Sequence, residues 1–235
     1  YTFLKELNTK ERRIVTIEDP VENKLDGIIQ IAVKPEIDLT FAAGLRSILR
    51  GDPNVIMVGE MRDQSTVENG LRAAMTGHMV FSTLHTNDAA STPVRLLDMG
   101  APRYMVAMSL QVVVAQRLVR LVCESCGEQV ELPPGEHEWM RNQIGAGADA
   151  HPYRKGRGCT QCNGTGYMGR TGVYEMLEMT RPVVEAANRA DPAVFIDMAR
   201  QQMQGQMLQD HAVQLVMQGR TTVDEAMRIS TQMDD

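Results

Sequence analysis

The chain has 235 residues, of which 43% are hydrophobic, and its formal net charge is -6. This length and hydrophobic content suit a globular core with an added module, whereas a net negative surface argues against bulk attraction to nucleic acid or anionic lipid. Glutamine and arginine side chains interrupt the longest apolar stretch, residues 105–122, so the sequence predicts no transmembrane segment. The chain does not begin with Met and opens on a helix-like segment, from which we expect a fragment of a longer protein.

Residues 1–121 alternate strand-like and helix-like segments, which predicts an α/β fold. Three apolar runs, IVTIEDP, NVIMVGEMRD and GHMVFSTLHT, predict strands buried on both faces of a parallel sheet. Residues 27–33 predict one further strand. Helices are expected at residues 39–49, 64–75, 88–99 and 102–118.

Each of the three apolar runs ends in polar side chains. These side chains are Glu18, Asp19, Glu60, Arg62, Asp63, Thr83 and His85. Ligands of open parallel sheets bind at the carboxyl ends of the strands, so we expect these residues to converge on one site. Acidic groups beside a histidine and an arginine suit chemistry on a magnesium-bound nucleotide.

Four of these residues are the strongest candidates. Glu60 follows four apolar residues and a glycine, the local pattern of a Walker B carboxylate. Glu18 and Asp19 precede a proline and are suited to orienting water or magnesium. The alternatives are solvated acidic loop residues at all three positions, and for His85 a hydrogen-bonded histidine at the edge of the core.

Two arginines, Arg46 and Arg50, lie four residues apart on a predicted helix and therefore share one face. Guanidinium groups bind phosphate in a bidentate manner, so the pair is suited to act as arginine fingers on the nucleotide of a neighbouring subunit. A solvated basic stripe is the alternative.

The composition changes in residues 122–172, a segment rich in glycine that we expect to be mostly loop. It carries all four cysteines, Cys123, Cys126, Cys159 and Cys162, as two CxxC pairs. Two such pairs suit four thiolate ligands on one tetrahedral zinc ion, and a site filled by protein ligands is structural. Two disulfides are the alternative, which a reducing compartment disfavours.

The remaining chain is expected to be mainly helical. Residues 173–179 predict a returning strand, and several short helices should follow from residue 181. Asp191 before Pro192 marks a helix start, and Thr222 with Glu225 forms a predicted capping box. The sequence thus predicts three parts, namely residues 1–121, 122–172 and 173–235.

Five longer segments of the chain are TIEDPVE, LRSILRGDPNVIMVGEMRD, TGHMVFSTLHTND, AQRLVRLVCESC and GCTQCNGTGYMGRTGVYEM. Together they resemble the secretion ATPase superfamily, in its branch for type II secretion and type IV pilus assembly. The resemblance covers essentially the whole chain and implies a RecA-like P-loop NTPase core with a zinc subdomain and a helical C-terminal region. The segment STPVRLLDMGAP also resembles ATPases of a mannose-sensitive haemagglutinin-type pilus.

The resemblance implies roles for three residues. Residues 16–22 correspond to the family's Asp box, 54–63 to its Walker B motif and 77–86 to its His box. Glu18 would then act on the attacking water, Glu60 would hold magnesium through water, and His85 would sense the γ-phosphate. The implied cofactors are ATP, magnesium and structural zinc.

One departure from the family pattern concerns the Walker A loop, which the family register places immediately before Tyr1. A P-loop cradles phosphates with its backbone N–H groups and its lysine, so this fragment should be inactive alone. The family implies a cytoplasmic homohexamer that works on an inner-membrane platform protein and binds no nucleic acid. The alternative function is a zinc-ribbon module that binds nucleic acid or protein without catalysis.

Overall fold

A four-stranded parallel sheet lies at the centre of the first part of the chain. The computed structural model describes residues 1–189 and 191–231. The strands of this sheet are β1 (Ile14–Glu18), β2 (Ile29–Ala32), β3 (Val55–Val58) and β4 (Met79–Ser82). They are arranged in the order β2-β1-β3-β4, and every neighbouring pair is parallel. The predicted α/β class with a parallel sheet is therefore confirmed.

Helices and a second group of strands make up the rest of the regular structure. The α-helices are α1 (Thr2–Leu7), α2 (Phe41–Leu49), α3 (Gln64–Met75), α4 (Thr92–Asp98), α5 (Arg103–Ser109), α6 (Pro134–Ile144), α7 (Arg181–Ala187), α8 (Pro192–Gln202), α9 (Leu208–Met217) and α10 (Val223–Thr231). The further strands are β5 (Val112–Val122), β6 (Gly127–Val130), β7 (Tyr153–Gly156) and β8 (Tyr167–Glu178). Short 3-10 helices span Pro35–Ile37 and Gly145–Asp149. Among the described residues, no helix is both long enough and apolar enough to cross a bilayer.

The two faces of the parallel sheet are covered by different helices. On one face, Leu4 of α1 packs with Ile14 and Val55. On the other, Ile17 and its neighbours pack against α2 and α3. Gly44 permits α2 to approach β1 closely, because a Cβ atom at this position would lie only 2.0 Å from the Cδ1 atom of Ile17. Alternate residues of β1 therefore face opposite layers.

The burial of the three predicted strands differs. All of β1 is buried, and most of β3 is buried too, as the apolar runs predict. Strand β4 lies at an edge of the sheet, and its end residues Met79 and Ser82 are exposed. The expectation of burial on both faces is therefore wrong for β4.

The described residues form two compact units. The first comprises those of Tyr1–Thr86, Ser91–Gln111 and Met179–Met198. The second comprises Asn87–Ala90, Val112–Glu178 and the described residues from Ala199 onward. The three-part division expected from the sequence stays a prediction about domain organisation.

The predicted helix at 102–118 is wrong beyond residue 109. Strand β5 begins at Val112 and pairs in antiparallel register with β8 as far as Val122. Buried and exposed residues alternate over most of β5, a period of two that β-branched valines favour over a helix. The partner β8 begins at Tyr167, earlier than the expected strand at 173–179.

Two other expectations need smaller corrections. The helix expected at 88–99 begins only at Thr92. The segment 122–172, expected to be mostly loop, contains helix α6 and the antiparallel pair β6 and β7. Proline at the start of α6 favours the first helical turn, and this signal lies within the sequence PPGEHEW.

A buried carboxylate organises the second unit. Glu225 of α10 has no exposed side-chain surface, and its oxygens accept hydrogen bonds from the backbone and guanidinium of Arg120 and from Arg228. Only half of the predicted capping box is present, because the Glu225 N–H donates to Thr222 while its carboxylate pairs with the arginines. Burial acts to raise the pKa of Glu225, but the hydrogen bonds from Arg120 outweigh it and hold the pKa below its ordinary value.

We expect Glu225→Gln to lower the free energy of unfolding at pH 7 by about 2 kcal/mol, because the arginine donors lose a charged acceptor. The folded-state pKa is the lower one, so this contribution is present above the unfolded pKa of about 4.3 and is lost as pH falls through the folded value. Urea denaturation at several pH values measures it. Glu178→Gln, at an exposed position on β8, is the matched control. Equal stability of both variants would contradict this role for Glu225.

Candidate active site and metal centre

Parallel pairing aligns the carboxyl ends of β1, β3 and β4. Val58 of β3 pairs with Ile17 of β1 on one side and with Ser82 of β4 on the other. The residues that follow each strand therefore emerge at the same edge of the sheet. The first unit holds every strand-end residue that the sequence singled out.

Glu60 and His85 come together at this edge. The Nε2 atom of His85 lies 3.4 Å from Oε2 of Glu60, and the Nε atom of Arg62 lies 2.6 Å from the same oxygen. The side chain of Glu60 is 12% exposed, whereas those of Arg62 and His85 are largely exposed. The mostly buried carboxylate of Glu60 therefore contacts two side chains, Arg62 and His85, that are largely exposed to solvent.

The loops after β3 and β4 are tied to each other. The hydroxyl of Thr83 donates to the carbonyl oxygen of Gly59 over 2.6 Å, and the N–H of Met61 donates to the carbonyl of Thr83 over 3.1 Å. A Cβ atom at Gly59 would lie 3.3 Å from Cα of Glu18, so glycine permits the close approach of β3 to β1. These contacts fix the backbone that carries Glu60 and His85.

Glu18 lies in a separate hydrogen-bonded group. It ends β1 and is only 3% exposed. Its carboxylate accepts hydrogen bonds from the hydroxyls of Thr16 and Tyr1 and from the side-chain amide of Gln30. Burial and the hydrogen bond to Glu18 raise the pKa of Tyr1, so this phenol is a protonated donor at neutral pH.

The other predicted site residues occupy different places. Asp19 is exposed beside Glu18. Arg46 is exposed on α2 and Arg50 is exposed at the C-terminal cap of this helix, and in the described ranges they form no hydrogen bond or ion pair with the residues at the strand ends. Asp63 caps α3, where its oxygens accept from the N–H and hydroxyl of Thr66.

The sequence did not single out Thr16, Gln30 or Tyr1. A signal for Thr16 was present, because a threonine two residues before Glu18 shares its face of the strand. Gln30 interrupts the apolar run IIQIAV, which is the only local sign that this side chain has a polar partner. The partner itself follows from strand pairing, which the local pattern does not give.

The four cysteine sulfurs form a compact cluster in the second unit. All four lie within 4.8 Å of one another, and none is in a disulfide. Three of the Sγ pairs are 3.7 to 4.0 Å apart, close to the roughly 3.8 Å that tetrahedral zinc with bonds of about 2.3 Å requires. The geometry favours metal ligation over the two disulfides.

The pKa values of two of the thiols are shifted in opposite directions. Burial raises the pKa of Cys126 to about 12. Burial acts in the same direction on Cys162, but N–H groups of Cys159 and Gly166 outweigh it and lower the pKa to about 6. Backbone donors thus already stabilise one thiolate of the cluster.

These arrangements agree with the comparisons with known proteins. A sequence model of the family described as "Type II/IV secretion system protein" matches residues 1–228. This chain belongs to that family. The predicted resemblance to secretion and pilus ATPases is thereby confirmed, while the assignment to a zinc-containing assembly branch and to one type of pilus stays a prediction.

Individual members of the family are similar over nearly the whole chain. Type II secretion system protein E of Aeromonas hydrophila is 39% identical over 237 residues, which cover 98% of this chain and 45% of that protein. The type IV pilus assembly ATPase PilB of Acinetobacter baylyi is 40% identical over 235 residues, covering 99% of this chain and 40% of PilB. The chain thus spans less than half the length of these relatives.

Solved structures share the fold. The crystal structure of the pilus retraction motor PilT with bound ADP matches with a TM-score of 0.65 and 30% identity, over 97% of this chain and 55% of that one. The Legionella pneumophila ATPase DotB matches with a TM-score of 0.68 over 98% of this chain and 55% of that one. DotB is 22% identical, so this second likeness concerns the fold alone.

We expect Asp63→Ala to lower the free energy of unfolding by about 1 kcal/mol, because the first turn of α3 loses its cap. Asp63→Ser retains a capping oxygen and should recover most of that loss. Urea denaturation of the two variants measures the difference. If alanine were tolerated as well as serine, the capping role of Asp63 would be wrong.

Proposed function

We propose that the protein containing this chain hydrolyses ATP and powers the assembly of a pilus or pseudopilus in a type IV pilus or type II secretion system. Membership of the family and the functions for which its relatives are named support this proposal. The structural observation that carries it is the approach of His85 to Glu60, 3.4 Å apart, beside the end of the strand that bears Glu18.

The chemistry is in-line transfer of the γ-phosphoryl group of ATP to water, a reaction that depends mostly on positioning and on stabilisation of charge. Glu18 accepts a hydrogen bond from the attacking water and orients it. His85 is exposed and free to turn toward the γ-phosphate, where its ring N–H stabilises developing negative charge. Both roles use side chains at the same edge of the sheet.

Carboxylate and hydroxyl oxygens are the ligands that magnesium prefers, and the strand ends supply them in Glu60, Asp63 and Thr83. Glu60 would hold the ion through a water molecule, and bound magnesium would neutralise charge on the phosphates. In this structure Arg62 neutralises Glu60. Asp19 and Arg62, both exposed, would contact the nucleotide.

The whole protein would act as a homohexamer with nucleotide bound between subunits. Arg46 and Arg50 support this arrangement, because they are exposed on α2 and at its C-terminal cap, where they would be available to the nucleotide of a neighbouring subunit. Its partner would be an inner-membrane platform protein, which places it in the cytoplasm at the periphery of the membrane. The net negative charge supports a function without nucleic acid.

The relatives extend well beyond the matched region, and residues 1–235 contain no P-loop sequence. We therefore propose that the fragment is inactive alone, because the backbone N–H groups and the lysine of a P-loop cradle the phosphates.

Glu60→Gln in the full-length protein should lower kcat of ATP hydrolysis by roughly 100-fold or more while nucleotide binding is retained, because the amide cannot supply the negative charge that holds magnesium. A phosphate-release assay and a fluorescent-nucleotide titration measure the two quantities. Glu36→Gln, at an exposed position outside the site, is the control.

Undiminished turnover in Glu60→Gln would make the Walker B assignment wrong. A folded, zinc-loaded and oligomeric parent protein that neither binds nor hydrolyses ATP would instead favour the zinc-ribbon binding module.

We also propose that Cys123, Cys126, Cys159 and Cys162 hold one structural zinc ion. The donor set of four close thiols supports zinc, and with four protein ligands the metal keeps no open position for water. When bound, the ion would cross-link the segments before β6 and before β8.

Cys159→Ser should reduce the bound zinc well below one equivalent and increase hydrogen exchange across residues 122–172, because metal binding contributes directly to local folding. Mass spectrometry of the metal content after dialysis against a weak chelator measures the first effect. Thr160→Ala, which alters the neighbouring residue of the same turn, should keep its zinc. Retention of a full equivalent by Cys159→Ser would contradict the four-thiolate site.

A further inference from the structure

The environment of Glu18 is unusual for a buried carboxylate. In the described part of the chain, no lysine, arginine or histidine lies within ion-pair distance of Glu18, although this residue is 3% exposed. Its charge is met by neutral donors alone, namely Thr16, Tyr1 and Gln30. A buried charge is tolerated only where such donors are held in place, so the residues that hold them matter for Glu18.

Strand pairing builds this group of donors. Thr16 and Glu18 are two residues apart on β1 and therefore share a face. In the parallel register of β1 and β2, Gln30 is the partner of Thr16. The side chain of Gln30 thus starts directly beside Thr16 and reaches Oε1 of Glu18 over 3.0 Å.

The amide of Gln30 has one orientation that satisfies its neighbours. Its Oε1 atom accepts a hydrogen bond from the N–H of Leu25 over 2.7 Å. Its Nε2 atom donates to Glu18 and to the carbonyl oxygen of Asn23, each over 3.0 Å. Because the N–H of Leu25 requires an acceptor, the NH2 group must face the carboxylate.

The side chain of Gln30 therefore links the carboxylate of Glu18 to the loop of residues 19–25 that follows β1. The loop carries Asp19 directly after Glu18. A single amide thus couples the direction of Glu18 to the path of the loop.

We propose that Gln30 is a positioning residue for ATP hydrolysis, which acts through Glu18 and through the loop of residues 19–25. The inference rests on the proposed ATPase function. Gln30 holds the Glu18 carboxylate in the direction in which it accepts a hydrogen bond from water, and it does not itself contact the reacting atoms. The hydroxyl of Thr16, also on β1, donates a hydrogen bond to the same Oε1 atom of Glu18 that Gln30 contacts.

Two substitutions separate the contact of Gln30 with Glu18 from its contact with the N–H of Leu25. Gln30→Leu removes both the donor to Glu18 and the acceptor for Leu25. Gln30→Glu keeps an acceptor for the N–H of Leu25 but places an oxygen against the oxygen of Glu18 and the carbonyl oxygen of Asn23. Gln214→Leu and Gln214→Glu make the same changes at an exposed position on α9 and serve as controls.

In the full-length protein, both Gln30 variants should lower kcat roughly 10- to 100-fold, the range of one lost hydrogen bond to a charged group, and should leave KM for ATP within about twofold. Combining Gln30→Leu with Glu18→Gln should lower kcat no further than Glu18→Gln alone, because a positioning residue has no effect once its target is gone. If Gln30→Leu acted only by lowering stability, its effect would be independent of Glu18→Gln, and the fold-reductions in kcat of the two single variants would multiply in the double variant.

Hydrogen exchange without nucleotide gives a second readout that needs no turnover. The amide of Leu25 should exchange faster in Gln30→Leu and stay protected in Gln30→Glu. Unchanged kcat in both Gln30 variants, or fold-reductions that multiply with that of Glu18→Gln, would overturn the positioning role. A parent protein without ATPase activity would overturn the proposed function instead, and the exchange of Leu25 would still decide whether Gln30 holds the loop.

Discussion

The parallel register of the four-stranded sheet is the constraint on which the candidate active site depends. It sets the ends of β1, β3 and β4 side by side, so that residues distant in sequence, such as Glu60 and His85, 25 positions apart, emerge at one edge. Hydrogen bonds between backbones fix this alignment without any contribution from the functional side chains. Glu60 and His85 meet because their strands pair, and Thr83 then ties the two loops together.

The same sheet separates two kinds of environment for carboxylates. Glu18 lies among neutral donors, whereas Glu60 lies beyond the strand end with charged or titratable neighbours that reach into solvent. The first carboxylate is enclosed by protein donors, whereas the second is next to side chains that are open to solvent. This difference is consistent with the roles proposed above, in which Glu18 orients water and Glu60 holds magnesium through water.

The second unit is stabilised by charge in another way. Glu225 is fully buried but has two arginine partners and a backbone donor, so its desolvation is offset locally. The thiol cluster relies on backbone N–H groups near Cys162 and on metal as a proposed common partner. Both devices stabilise a unit whose strands form only two-stranded pairings in the described residues.

The sequence by itself determined the α/β class, the strands that end at or shortly before Glu18, Glu60 and His85, and the four cysteines, because apolar runs and fixed ligand spacings are local patterns. Tertiary structure decided the rest. Residues 112–118 form a strand because β8 supplies the hydrogen-bonding partner, and Gln30 meets Glu18 because β2 pairs with β1 in one register. Such pairings depend on which distant segment lies next to a strand. The free energy that selects one pairing comes from packing throughout the core, so no single segment of the sequence specifies it.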